Sequence, residues 1–141
     1  MPINDDGELK RILTTIKRVA SVGVSSSPEK PSYGIFEYLK GHGYEMIPVN
    51  PSTPEIQGLR TFPDLISIPG KIDVVQVFRK PEDGPPVVDQ AIAIGAKIVW
   101  MQEGVINEEA ARRAEAAGLR VVMNRCMRET HRRLLGTQFH L

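Results

Sequence analysis

Apolar residues along the chain follow two alternating patterns, one typical of helices and one typical of strands. Residues 9–16 are apolar at the i, i+3, i+4 and i+7 positions, which form one face of a helix. Downstream, five short apolar runs rich in β-branched residues each have about the usual length of a strand. The pattern therefore predicts strands over residues 19–24, 45–49, 73–78, 97–101 and 120–123.

Helical patterns, bounded by capping residues and glycines, lie between these strands. Asn4, Asp5 or Asp6 can cap the first helix, and Ser32 and Asn107 are placed to cap two later ones. Glycines follow the later apolar patterns, as is typical of helix C-termini. The helices are predicted over residues 6–17, 32–41, 83–94, 107–117 and 128–135, with one or two further helical turns over 63–68.

Strands that alternate with helices predict βαβ units and a parallel sheet. Right-handed crossovers then give an α/β, Rossmann-like, doubly wound sheet of five parallel strands with helices on both faces. With strands numbered along the chain, we expect the order 3-2-1-4-5. Ligands bind such sheets beyond the carboxyl ends of the strands at the switch point, which this order puts between the first and fourth strands.

Domain organisation is predicted to be simple. The chain of 141 residues has the usual size of one domain, and no linker, repeat or low-complexity tract divides it. We therefore expect a single domain over residues 1–141, with an N-terminal helix at about 6–17 and a core at about 18–136.

Composition and charge narrow the classes of function. The net charge of +1 points neither to nucleic acid nor to an anionic membrane. Cys126 is the one cysteine, so no internal disulfide can form, which fits a cytoplasmic protein. The N-terminal sequence lacks a cationic n-region and an apolar h-region, and no apolar run is long enough to span a bilayer.

Arginines are concentrated in the last third of the chain. They predict either a solvated helix face with a cationic last turn that suits the helix dipole, or a surface for a partner or an anionic ligand. The residues concerned are Arg112, Arg113, Arg120, Arg125, Arg128, Arg132 and Arg133.

The segment GVSSSPEKPSY, residues 23–33, follows the first predicted strand and is here called the phosphate loop. Gly23 lets the backbone turn and approach a ligand, and the serine hydroxyls and N–H groups can bind phosphate oxygens. The helix N-terminus at Ser32 adds a favourable dipole, and Gly34 is expected to let this helix lie close to the sheet. The alternative is a tight strand-to-helix turn with no ligand.

The end of the second strand distinguishes between nucleotides. An NAD site has a carboxylate there for the ribose 2′-OH, whereas this chain has Asn50 and no acid before Glu55. NADP sites place an arginine nearby, and the nearest here is Arg60. The lack of an acid at this position favours a nucleotide with a phosphorylated ribose, because a carboxylate there would repel that phosphate.

The segment VFRKP, residues 77–81, has an apolar residue followed by two cations. Phe78 can lie against a purine while Arg79 and Lys80, together with Lys30, face phosphate charge. The alternative is a core phenylalanine followed by a surface loop with ordinary solvated cations.

Support for catalysis is weak. The sequence GVS after the first strand matches the start of a nucleophile elbow, but Ser27 stands where the motif has glycine. The three histidines lie in a glycine-flanked turn, an arginine-rich helix and the chain terminus, and no spacing indicates a metal site. Cys126 is either a small buried side chain or a thiol near the crevice that forms a mixed disulfide with a ligand thiol.

Several stretches together carry a family resemblance over residues 8–136. They are VASVGVSSSPEKPSYGIFEYLKGHGYEMIPVNP, DVVQVFRKPED, AIAIGAKIVWMQEGVINEEAARRAEAAGLRVVMNRC and HRRLLG. In this order they resemble the CoA-binding domain family of small bacterial and archaeal proteins. The chain is also similar to the N-terminal domain of the succinyl-CoA synthetase α subunit. The resemblance implies a Rossmann-like domain that binds coenzyme A or an acyl-CoA.

Carried over by position, the resemblance implies four groups of binding residues. The phosphates would be held by Gly23, Val24, Ser25, Ser26 and Lys30, beside Ser32 and Tyr33. The adenosine end would meet Asn50 and Pro51, and the next wall would be Phe78, Arg79, Lys80 and Pro81. The fourth group, which matches the synthetase stretch T-E-G in part, is Gln102, Glu103 and Gly104.

The resemblance departs from the synthetase in ways that bear on activity. Gln102 replaces the threonine of T-E-G, whereas Asn124 and Cys126 match its N-C pair. The synthetase's phosphorylated histidine lies on a second domain, which this sequence does not include. The resemblance therefore implies binding rather than ligation.

The sequence thus predicts a non-catalytic, cytoplasmic CoA-binding protein with a small-molecule ligand and no nucleic-acid or membrane partner. Two alternatives stay open: an NAD(P)(H)-binding, dehydrogenase-like or redox-sensing domain, and an accessory subunit of an acyl-CoA enzyme. Apolar helix faces also make a homodimer an expectation.

Overall fold

The computed structural model describes residues 1–136. The helices are α1 (Asp6–Thr15), α2 (Pro31–Gly41), α3 (Gly84–Ala93), α4 (Glu108–Ala116) and α5 (Met127–Leu135), with a 3-10 turn at Pro81–Asp83. The strands are β1 (Arg18–Val22), β2 (Glu45–Val49), β3 (Glu55–Ile56), β4 (Leu59–Arg60), β5 (Val74–Val77), β6 (Ile98–Met101) and β7 (Arg120–Val122).

Five strands form one parallel sheet in the order β2-β1-β5-β6-β7, and β3 and β4 form a short antiparallel hairpin. One apolar cluster joins the sheet to α1, α2 and α5, and a second joins it to α3 and α4. The sheet therefore has helices on both faces. This confirms the predicted α/β, Rossmann-like, five-stranded architecture.

The observed strand order differs from the expected order 3-2-1-4-5. With the five sheet strands counted along the chain, the observed order is 2-1-3-4-5, because β5 pairs with β1. β5 is buried at all of its residues, as suits a central strand, whereas β2 contains Pro48 and lies at the edge. Proline has no N–H for a ladder on both sides, so it suits an edge strand. The switch point therefore lies between the first and third sheet strands, β1 and β5, and not between the first and fourth.

Two local predictions also need correction. Ser32 does not cap α2: Lys30 occupies the N-cap position without a side-chain bond, and Pro31 opens the helix. Residues 63–68 form bends and a turn rather than helix, closed by a bond from Ile68 N to Leu65 O of 3.2 Å. The predicted cap at Asn107 is confirmed, since its Oδ1 accepts from Ala110 N at 2.9 Å.

Both outer strands of the sheet are covered by chain segments. Phe62 N donates to Pro48 O at 3.0 Å beside β2, and Ile3 N donates to Val121 O at 2.7 Å beside β7. Covered edges resist strand-to-strand association. The homodimer stays a prediction, and it would use helix faces.

The amino edge of the sheet, where the strands begin, is tied together by charged groups. The Asp73 carboxylate accepts from Lys17 N at 2.8 Å and Arg18 N at 2.9 Å, and Lys97 lies 3.4 Å away. Arg18 bonds the Glu45 carboxylate and two backbone carbonyls of residues 69–71. These contacts fix the relative positions of the strands. No helix among residues 1–136 is both long and apolar enough to cross a bilayer.

Candidate functional site

The carboxyl ends of β1 and β5 meet in a crevice whose closest approach is at Gly23. This residue has φ +88°, and its N–H donates to Val49 O at 3.0 Å. A Cβ atom here would lie 2.8 Å from Arg79 Cδ and 3.1 Å from Phe78 O. Glycine is therefore required both by the backbone conformation and by the contact between the loops after β1 and β5.

The phosphate loop is shaped by its own serines. Ser25 N donates to Ser32 Oγ at 2.9 Å, and Ser27 N donates to Ser25 Oγ at 3.0 Å. These two hydroxyls hold the loop, whereas Ser26 and Lys30 are exposed. At the start of α2, which has no side-chain cap, Pro31 has no N–H and Tyr33 N donates to Lys30 O at 3.1 Å.

Asn50 links the phosphate loop to the segment after β2. Its Nδ2 donates to Val24 O at 3.0 Å, and its Oδ1 accepts from Ser52 N at 2.8 Å. The amide thus uses both of its ends within the protein. Tyr33, at the far end of the loop, accepts from Gln57 Nε2 through its carbonyl at 3.0 Å.

A cleft of about 190 Å³ opens beside the switch point. Its wall includes Pro51, Leu65 and Val87, with the polar groups Arg79 and Asp64 beside them. Hydrogen bonds from the Ser67 hydroxyl and N–H lower the pKa of Asp64 below its ordinary value, so this carboxylate is charged near neutral pH. The volume is below that of a pocket for a whole drug-sized ligand.

The loop after β5 forms the next wall. Arg79 is 44% exposed, and its Nη2 lies 3.4 Å from the Asp83 carboxylate. Lys80 is exposed, whereas Phe78 is half-buried and packs on the cluster beneath α2 and α5. Pro81 accepts from Asn107 Nδ2 through its carbonyl at 2.8 Å, which ties this wall to α4.

The stretches Q-E-G and N-x-C lie side by side. Gly104 N donates to Asn124 Oδ1 at 2.8 Å, and Asn124 has φ +59°. Gln102 is only 4% exposed, and its Oε1 accepts from Met127 N, so its side chain is held in the interior. Cys126 is partly buried beside a surface cleft of about 320 Å³ that Glu103 also lines. Its mixed disulfide stays a prediction.

Most of the clustered arginines are engaged in surface ion pairs. Arg113 bonds two carboxylates, and Arg120, Arg132 and Arg133 bond one carboxylate each. These contacts support the solvated helix surface for Arg113, Arg132 and Arg133, whereas Arg120 lies on β7.

Arg128, one of the clustered arginines, lies beside Gly34 in the first turn of α2, a contact that the sequence does not indicate. Its Nη1 lies 3.2 Å from the position of a Cβ on Gly34. Gly34 therefore faces α5 and not the sheet, which corrects the expectation for this glycine. The sequence gives little indication that Arg128 lies near Gly34, because only the strand order and the pairing of helices bring α5 beside α2.

The two described histidines are held by an aromatic cluster between α2 and α5. The Tyr38 hydroxyl and His131 Nδ1 are 2.9 Å apart, and His42 Nδ1 is 2.8 Å from Tyr38 O. Both rings are thus engaged with the same residue. Within residues 1–136 no group of three or more His, Cys, Asp and Glu residues is arranged to hold a metal.

Comparison with known proteins assigns this architecture. The chain is 38% identical over 124 residues to the uncharacterized protein YneT of Bacillus subtilis (strain 168), covering 88% of this chain and 92% of YneT. A hypothetical protein from Pyrococcus horikoshii OT3 superposes with a TM-score of 0.93 at 44% identity, covering 96% of this chain and 97% of that one.

A larger relative is Acetate--CoA ligase [ADP-forming] II of Archaeoglobus fulgidus, which is 29% identical over 120 residues. The match covers 77% of this chain but only 18% of the ligase. The sequence profile of one family, described as CoA binding domain, matches residues 17–132. The chain belongs to the CoA binding domain family and is related to the CoA-binding part of acetate–CoA ligases.

Proposed function

We propose that this protein binds coenzyme A or an acyl-CoA in the crevice between β1 and β5 and catalyses no reaction by itself. The carrying observation is the contact of Gly23 with Arg79 where β1 and β5 end, beside a cleft of about 190 Å³ that both residues line. A guanidinium and an apolar recess there suit one ligand that carries phosphates and a base.

The phosphates are assigned to the phosphate loop. Support comes from the serine bonds that already order the loop, since a preorganised anion site costs little entropy on binding. Gly23, Val24 and Ser25 form the backbone of the loop, in which the N–H groups of Gly23 and Ser25 bond within the protein. The exposed Ser26 and Lys30 add a hydroxyl and a charge. Ser32 and Tyr33 form the start of α2 behind them.

The adenosine end is assigned to the recess beside Asn50 and Pro51. Asn50 stands where an NAD protein has a carboxylate, and its amide is engaged with Val24 and Ser52. A phosphorylated ribose would thus meet no acid at residue 50, and the Asp64 carboxylate lies farther along the wall of the cleft. Arg79 and Lys80 supply positive charge on the next wall.

The distal arm of the ligand is assigned to the loops after β6 and β7. Glu103 and Gly104 are exposed there, and Phe78 and Pro81 line the path from the recess. Gln102 contributes from beneath the surface. The biological role that suits this arrangement is a carrier, a sensor or an accessory subunit of an acyl-CoA enzyme.

Isothermal titration calorimetry with CoA, 3′-dephospho-CoA, acetyl-CoA, NAD and NADP tests the proposal. We expect CoA and acetyl-CoA to bind, with dephospho-CoA weaker by about tenfold because a charge-assisted phosphate contact is lost. Tight binding of NAD without binding of CoA would contradict the proposed ligand.

A second assay addresses the absence of catalysis. Acetyl-CoA incubated with the protein should release free thiol at the same rate as acetyl-CoA in buffer. A release rate that rises in proportion to protein concentration would show an enzyme and would reject that half of the proposal.

A further inference from the structure

A chain of buried polar side chains crosses the sheet directly beneath the crevice. Ser21 on β1 and Gln76 on β5 are 0% exposed, and Gln102 follows β6 at 4%. Ser21 Oγ donates to Gln76 Oε1 at 2.8 Å, and Gln76 Nε2 donates to Gln102 Oε1 at 3.1 Å. We call Ser21, Gln76, Gln102 and the adjoining Met127 the glutamine relay.

A backbone group fixes the direction of every bond in the relay. Met127 N can only donate, and it donates to Gln102 Oε1 at 3.1 Å, so this end of Gln102 is the oxygen. The facing end of Gln76 must then be its amide nitrogen, which also lies 3.7 Å from Met127 Sδ. Its oxygen therefore faces Ser21, whose hydroxyl donates. The relay has one self-consistent arrangement.

The relay also satisfies a helix end. α5 begins with Cys126 at the N-cap, and that residue makes no side-chain capping bond. Gln102 Oε1 supplies an acceptor for a first-turn N–H of this helix from outside it. Buried amides cost free energy compared with apolar residues unless they are paired, and the neighbours of Gln76 along β5 are valines.

Each member of the relay lies one or two residues from a ligand-facing segment. Ser21 lies just before the phosphate loop, and Gln76 lies just before the wall after β5. Gln102 begins the Q-E-G stretch, and Met127 follows the loop that precedes α5. The bonds are satisfied together only when these four segments share one register. An apolar core at the same positions would pack without requiring that register.

We infer that Gln76 and Gln102 are positioning residues for the binding crevice, holding the ends of β1, β5 and β6 and the start of α5 in the geometry that accepts CoA. The inference rests on the proposed function. It also accounts for the departure from T-E-G, because Gln102 reaches inward to Gln76 and Met127.

The test uses a triple variant, Ser21→Ala/Gln76→Met/Gln102→Met, titrated with CoA beside the wild type. Removing all three side-chain partners together avoids stranding a buried side-chain amide and leaves Met127 N without its acceptor, so the melting temperature should fall by about 5–10 °C while the protein stays folded. CoA binding should weaken by about fivefold or more, because the segments lose their common register.

Tyr44→Phe is the matched control for a buried hydrogen bond away from the crevice. It removes the bond from the Tyr44 hydroxyl to Leu13 O on the amino-edge side, so it should lower the melting temperature and leave CoA affinity unchanged. A purely structural role for the relay would instead make affinity follow stability in both variants.

The outcomes separate the two proposals. If the wild type and the folded triple variant bind CoA equally, the inference is overturned and the proposed function stands. If the wild type does not bind CoA, the proposed function is overturned and this inference with it.

A measurement on the wild type covers the case in which the triple variant does not fold. In ¹⁵N NMR spectra, the side-chain amide signals of Gln76 and Gln102 should shift and exchange more slowly with solvent at saturating CoA. Unchanged amide signals, at a CoA concentration that shifts the phosphate-loop backbone, would overturn the inference.

Discussion

The two edges of the sheet use charged residues in opposite ways. At the amino edge, Asp73 accepts two backbone N–H groups, and Arg18 bonds a carboxylate and two carbonyls. At the carboxyl edge, where the strands end, Arg79 has one partner, the Asp83 carboxylate at 3.4 Å. Lys30 and Lys80 have no ion pair within residues 1–136.

The difference separates groups that hold the fold from groups that are available to a ligand. A buried or half-buried charge with several fixed partners contributes to stability, and its loss leaves those partners unsatisfied. An exposed cation with a loose partner contributes little to stability and keeps its charge for an anion. We therefore expect substitutions at the amino edge to change stability and those at the carboxyl edge to change affinity.

The largest expected effect is the loss of stability in Asp73→Asn. The carboxylate is 18% exposed and accepts from Lys17 N and Arg18 N. The amide keeps an acceptor but loses the charge, so unfolding should become easier by about 2 kcal/mol. Urea denaturation measures this change, while CoA affinity should stay within about twofold. A large loss of affinity at unchanged stability would reverse the assigned roles of the two edges.

The pH dependence of the stability difference between the wild type and Asp73→Asn gives a second measurement. Burial raises the pKa of Asp73, but the N–H groups of Arg18 and Lys17 and the ammonium of Lys97 outweigh it and hold the pKa below its ordinary value of 3.8. A lowered folded-state pKa gives stability that is complete above the unfolded value and is lost as the pH falls through the folded value. The gap between wild type and Asp73→Asn should therefore shrink below that range.

The next effect in size concerns Arg79→Ala at the carboxyl edge. Loss of a charge-assisted bond to phosphate should weaken CoA binding by about tenfold, or roughly 1.4 kcal/mol. Stability should change by less than about 0.5 kcal/mol, because the contact with Asp83 is exposed. The matched control is Arg113→Ala, which breaks ion pairs to Asp89 and Glu109. Equal losses of affinity in the two variants would remove the role assigned to Arg79.

The architecture was predictable from the sequence because its signals are local. Apolar runs, capping residues and glycines mark the strands and helices, and their alternation gives a parallel sheet. Strand order is not local, since it depends on which neighbours the strands find after long connections. Pro48 carried the missing information: a residue without an N–H belongs at an edge, and the order 3-2-1-4-5 would have made its strand internal.

The candidate site was predictable only in part for a similar reason. The position of Gly23 follows from a strand end followed by a turn, and the structure adds the contact with Arg79. The inward direction of Gln102 and the position of Arg128 over α2 depend on packing between elements that are distant in the chain. Sequence pattern identifies which residues can bind phosphate, but not which of them use their polar groups inside the protein.

The smallest effects come from a pair of glycine substitutions, one at each edge. A Cβ on Gly70, which has φ +83°, would lie 2.8 Å from Arg18 Nη1, and that guanidinium is held by its own bonds. Gly70→Ala should therefore cost about 1 kcal/mol of stability. A Cβ on Gly34 would lie 3.2 Å from Arg128 Nη1, which ends a flexible side chain that can move.

Gly34→Ala should consequently stay within about 0.5 kcal/mol of the wild type, because alanine's helix propensity offsets the displacement of Arg128. Thermal or urea unfolding of the two variants side by side measures the contrast. A severe loss of stability in Gly34→Ala would mean that Arg128 is held as rigidly as Arg18. The charged residues at the carboxyl edge would then contribute mainly to stability, as they do at the amino edge, and not to ligand affinity.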